Sequence, residues 1–232
     1  MERAEFHKLI KQERYAELIM TEKLLMSYDA DGKSAVGKLT EAGKFHLIPE
    51  TLVTEKLLFQ PSCSMLSEPD DVPDEVWTPL DAIVVNRQFH MLPPRFQTLS
   101  LLMRPQAGGW NSLQVAAAFG TLDQFPPGFF SLDDLLVAKS DGRNCFHLAA
   151  MNKLLDAVPL DCISTEALLV ADKEDKTALC YALEEEQAQV MNMPVDERCR
   201  PILGDLLDDI LALQKQKLTL NNQVEGAEID LF

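Results

Sequence analysis

The residues best able to do chemistry are Cys145 and His147, a thiol and an imidazole flanking Phe146. Thiol catalysis requires the imidazole to reach the sulfur and take its proton. On a helix, residues two apart point to different sides, so the pair is expected to serve the fold, with His147 bonded to turn backbone. Gly32-Lys33-Ser34 has the ending of a phosphate-binding loop, but that loop also needs a glycine five residues before Gly32, where Ser27 stands. Asp29-Ala30-Asp31-Gly32 has the acidic start of a calcium loop. Its glycine comes two places early, and Thr40 stands where the closing glutamate belongs. H-E-x-x-H, G-x-S-x-G and G-x-G-x-x-G do not occur. The five cysteines, Cys63, Cys145, Cys162, Cys180 and Cys199, include no C-x-x-C pair and read as free, mostly buried thiols in a reducing compartment. No catalytic residue, metal ligand or cofactor is assigned.

The totals narrow the class. Of 232 residues, 47% are hydrophobic and 25% charged, as in folded globular proteins. The formal charge of −16, from 37 acids and 21 bases, argues against nucleic acid or anionic lipid as the main ligand. It favours solubility and suits a partner protein with a basic surface. No apolar run is long enough to span a membrane. Met1–Lys11 is charged and amphipathic, without the features of a secretory leader, so the chain is expected in the cytoplasm as a monomer. Export by a leaderless route stays open.

Three markers reveal what positions these residues. Paired leucines stand at Leu24-Leu25, Leu57-Leu58, Leu101-Leu102, Leu135-Leu136 and Leu168-Leu169. An apolar-proline step stands at Ile48-Pro49, Leu92-Pro93, Phe125-Pro126, Val158-Pro159 and Met193-Pro194. A large apolar residue opens a helix at Val36, Leu80, Leu113, Phe146 and Leu179. All three recur about every 33 residues, with one interval of 44, and the surplus is the acidic, proline-bearing stretch Ser64–Asp74. That stretch reads as an inserted loop. Helices are expected to begin near Ser34, Thr78, Asn111, Asn144 and Thr177.

The residues also carry a family resemblance. The ankyrin pattern D-G-x-T-P-L-H-x-A-A-x-x-G is followed by Asp141-Gly142, Phe146-His147 and Ala149-Ala150, and Thr78-Pro79-Leu80 reproduces its core. Gly109, Leu113, Ala116-Ala117 and Gly120 fill the same slots in the third unit, and Asp31-Gly32, Val36 and Gly43 in the first. Thr177-Ala178-Leu179 with Ala182 marks the fifth, so the likeness covers about Thr21 to Pro194. The chain therefore resembles ankyrin-repeat proteins. The resemblance implies an all-α, ankyrin-like α-solenoid of five repeats, with capping helices at both ends, that binds another protein through turns and inner helices. The family's V-V-x-x-L-L-x-x-G-A-D half is missing, so its hairpin finger is expected to be shortened or replaced by helical turn.

The divisions follow: residues 1–20 an N-terminal cap or half-repeat, 21–195 the repeats, 196–220 a C-terminal capping helix, 221–232 a mobile acidic tail. Both tryptophans, Trp77 and Trp110, occupy one repeat slot, whose other occupants are Lys33, Arg143 and Lys176. In ankyrin proteins that slot projects at the binding surface. With Phe119 and Met151 these residues form the expected partner-binding site. An alternative lies at the end of the tail, where Glu228-Ile229-Asp230-Leu231-Phe232 resembles the peptide with which bacterial proteins dock on the replication sliding clamp. There Ile229, Leu231 and Phe232 would be the anchors. A third reading is an enzyme whose site has no recognisable motif.

Overall fold

A computed structural model describes residues 1–61, 77–106, 109–185 and 193–203, with 207, 208, 210–212 and 215 beyond them. The expected insertion at 64–74 and the tail at 221–232, with its clamp-like peptide, lie outside these residues. The described residues form twelve α-helices joined by 3₁₀ turns, and no β-strand. Two isolated bridges occur, Tyr28 with Ser34 and Ala171 with Thr177. No described helix is long and apolar enough to cross a membrane.

Helices alternate in length. The odd-numbered ones are α1 (Arg3–Lys11), α3 (Ala35–Glu41), α5 (Pro79–Val85), α7 (Ser112–Ala118), α9 (Cys145–Met151) and α11 (Ala178–Glu185). Between them lie α2 (Glu22–Leu25), α4 (Glu55–Leu58), α6 (Leu99–Leu102), α8 (Leu132–Leu136) and α10 (Thr165–Leu168), and α12 (Arg200–Leu203) follows. From α3 onward the long helices open 44, 33, 33 and 33 residues apart, the spacing found in the residues.

Two turns of helix do not persist alone in water, so caps and packing must hold each one. The residues where helices were expected to begin are their caps. Ser34, Thr78, Asn111, Asn144 and Thr177 each accept a backbone N–H three residues on, at 2.9–3.3 Å. Asp81, Gln114 and His147 return the bond to their cap's own N–H, closing capping boxes. Thr21, Thr54, Thr98, Ser131 and Ser164 cap the short helices in the same manner. Every helix-opening apolar residue and every residue before the step proline is buried, as is at least one leucine of each pair. These three markers are the core.

The second half of each period departs from a continuous helix at the proline. Proline donates no hydrogen bond and disfavours helical backbone in the residue before it. Around Pro49, Pro93 and Pro159 the chain therefore makes two 3₁₀ turns, such as Phe45–Leu47 and Glu50–Leu52, before its single capped α-turn. The turns ahead of four of the long helices are tight. Asp29, Gln106, Lys139 and Asp172 each donate N–H to the carbonyl four residues on, at 2.7–2.9 Å. Inside each turn one residue takes positive φ: Gly32, Gly109, Gly142 and, in the last, Asp175.

The chain divides into two compact units, Met1–Ala116 with Gln124–Phe129 and Ala117–Asp123 with Phe130–Phe232. In the first, α1 packs on α3 and α3 on α5. Phe89, Phe125 and Phe129 cluster there with ring centroids 4.9–5.4 Å apart. In the second, α9 packs on α8 and α11. Beyond α11, a 3₁₀ turn, Glu197–Cys199, leads into α12, and Leu203, Leu207 and Ile210 are buried.

Candidate functional site

Helix α9 settles the role of the thiol and the imidazole. Cys145 is buried, and burial pushes its thiol well above the ordinary range, which removes the thiolate a nucleophile needs. The His147 ring is engaged on both sides. Nδ1 accepts the Asn144 backbone N–H at 3.2 Å, and Nε2 lies 3.2 Å from the Lys176 carbonyl. That carbonyl belongs to the following turn, the kind of partner expected for it. Burial lowers the pKa of the imidazole, which favours its neutral form. His147 thus holds a cap and a turn, while Cys145 is packed in the core.

The turn aspartates have a similar structural use. Asp29 Oδ1 accepts the N–H groups of Asp31 and Lys33, and its other oxygen takes the Lys38 ammonium. Asp172 repeats this with the N–H groups of Glu174 and Lys176, and its second oxygen accepts the Tyr181 hydroxyl at 2.7 Å. Burial opposes ionisation of Asp172, but these bonds outweigh it and its carboxyl titrates below the usual range. Tyr181, buried and donating to Asp172, is pushed up to about 12. No group of three His, Cys, Asp or Glu among the described residues is placed to hold a metal.

The expected partner-binding residues fall into two sets. Lys33, Trp77 and Trp110 belong to the first compact unit; Phe119, Arg143, Met151 and Lys176 belong to the second. Trp77 and Trp110 are half-buried. Phe119 is 47% exposed, at the position where α7 ends, and Met151 is the half-buried last residue of α9. The basic occupants of the slot are locally balanced: Lys33 pairs with Glu41 at 3.3 Å and Lys176 with Glu184 at 2.8 Å. Arg143 lies within 4.0 Å of Asp141, Asp172 and Glu174 and over the Tyr181 ring. These basic residues therefore add little net charge to the expected site.

No family model matches the chain, and a search of the curated proteins finds no match either. The site has to be judged on its own geometry.

One feature of that geometry escaped the sequence. Asp81 joins Thr78, Gln106 and Ser112 in a hydrogen-bonded network. The readable signal was its position three residues after a threonine cap, which is that of a capping box.

Proposed function

We propose that the chain is a non-catalytic protein-binding scaffold, an ankyrin-like solenoid of five repeats that engages a partner through the turns and inner helices of its central repeats. One contrast carries the reading. The cap residue of each long helix from α3 to α11 is no more than 8% exposed, while the residue just before it is half-buried or exposed in all five. The caps are drawn from Ser, Thr and Asn, as the fold requires; their neighbours are Lys, Trp, Trp, Arg and Lys, which it does not. A scaffold whose framework is fixed can vary such positions without unfolding. Large aromatics at two of them, in contact with water, are the residues most enriched among binding hot spots.

Phe119 supports the same reading. In the equivalent position Asn86 and Asn152 bond back to the helix carbonyl four residues earlier, each at 2.8 Å. Phenylalanine, like Ala42 in the first period, cannot make that bond, and here it puts a large aromatic side chain in contact with water. The roles found for Cys145 and His147 also count against thiol chemistry.

The test is quantitative affinity capture with the wild-type chain and a W77A/W110A variant whose melting temperature is unchanged. At least one protein should lose tenfold or more in recovery, an effect on the order of 2 kcal/mol for a true hot spot. If every captured protein is recovered equally by both, the proposed surface is wrong.

A further inference from the structure

We propose that the groove between α1 and the first turn binds an extended acidic segment of a partner protein. The groove lies wholly within the first compact unit, and none of the turn-slot residues lines it. It is a cavity of about 600 Å³ whose walls include Arg3, His7, Lys8, Lys11, Lys38 and Tyr28.

Its charge runs against that of the chain. Four cations face two carboxylates, Asp29 and Asp31, in a protein whose net charge is −16. Lys38 is taken up by Asp29. Arg3 donates to the Tyr28 carbonyl, which neutralises nothing, and Lys8 and Lys11 are exposed and form no ion pair among the described residues. Three cations on one wall thus form no ion pair, and Asp31 in the groove and Glu5 on α1 offset them only in part. More distant acidic residues hardly count, because salt screens exposed charges beyond about 8 Å at physiological ionic strength.

The spacing favours a peptide. Arg3 and Lys11 lie eight residues apart on α1, about 12 Å along the axis. An extended chain covers that length in about four residues, with alternate side chains on one face. Carboxylates two residues apart can therefore meet successive cations. Ala4 and Ala30 add apolar wall that a bare phosphate would not use.

His7 points the same way. It is only 7% exposed and lines the cavity; its Nε2 lies 2.9 Å from Ser27 Oγ. Ser27 gives its own hydrogen to the Leu24 carbonyl at 2.6 Å, so the imidazole must be the donor to it. Nδ1 is then left as a buried acceptor with no hydrogen-bond partner. A peptide N–H is a donor for such a lone pair.

The test uses the full chain and a fluorescein-labelled peptide of alternating Glu and Ala, with its Gln-for-Glu counterpart as control, read by anisotropy. The acidic peptide should bind at low salt, weaken as salt rises, and bind at least tenfold more tightly than the Gln peptide. K8E/K11E should lose tenfold or more with an unchanged melting temperature, and K8A/K11A a smaller amount in the same direction. W77A/W110A should bind the peptide like wild type, which separates this groove from the turn surface. Absence of binding, equal binding by both lysine variants or by the Gln peptide, or complete displacement by millimolar inorganic phosphate would overturn the proposal.

Discussion

Asp81 accepts the Ser112 hydroxyl at 2.7 Å, and both residues are buried. The same oxygen accepts Gln106 Nε2 at 2.9 Å, and the other takes the Thr78 N–H and hydroxyl at 3.0 and 2.7 Å. One carboxylate thus closes the cap of α5 and holds the start of α7. Asp81→Ala leaves those donors buried without an acceptor, which costs about 1–3 kcal/mol for an unsatisfied group. Urea unfolding should show a loss of about 3 kcal/mol, and Asp81→Asn a smaller one, since one oxygen remains.

His147 makes stability depend on pH. Its folded pKa lies below the ordinary 6.5, so between those two values the unfolded chain binds a proton that the native chain does not. Stability should therefore fall as pH drops through 6.5 and level off below the folded pKa. His147→Gln keeps the capping box, since Gln114 already plays that part for Asn111 at 3.1 Å. Unfolding measured from pH 7.5 to 5.5 should show a flatter curve for the variant. Some slope should remain, because burial lowers His7 in the same direction.

The turn glycines should differ in tolerance. A Cβ on Gly142, where φ is +88°, would lie 2.7 Å from the Lys173 nitrogen and 3.1 Å from Asp172 backbone. On Gly128, φ +74°, it would meet nothing within 4 Å. Gly128→Ala should cost only the left-handed strain, about 1 kcal/mol. Gly142→Ala should cost that and a backbone displacement, about 3 kcal/mol in all, with thermal melts ranking the two.

What the sequence disclosed follows from what repeats. Val36, Leu80, Leu113, Phe146 and Leu179 recur because each helix must bury the same face, and all are fully buried. The five caps recur because each helix has the same orphan N–H groups. The structure was harder to read where one physical need is met by different residues. Positive φ near the ends of α3, α5, α7 and α9 falls on Gly43, Arg87, Gly120 and Lys153, so glycine alone does not mark the slot. The capping box is closed by Asp81, Gln114 or His147, which look unrelated as letters. On α1 the apolar stripe Phe6, Leu9 and Ile10 pointed to a buried face, and they are buried. The cations on its other side, at Arg3, Lys8 and Lys11, carried the signal of the groove at helical spacing, but a cap's polar face looks the same. The two 3₁₀ turns around each step proline follow from proline's missing N–H, though their lengths depend on packing against neighbouring periods.

The most direct measurement of partner binding uses the two indoles, since Trp77 and Trp110 are the chain's only tryptophans. Labelled with 5-fluorotryptophan, the protein should give two ¹⁹F resonances, assigned with W77F and W110F. On titration with a captured partner, both resonances should shift or broaden as the complex forms, because the proposed surface places each indole against the partner. If the complex forms, as its size in solution shows, while both resonances stay where they were in the free chain, the partner binds elsewhere and the account of this surface is wrong.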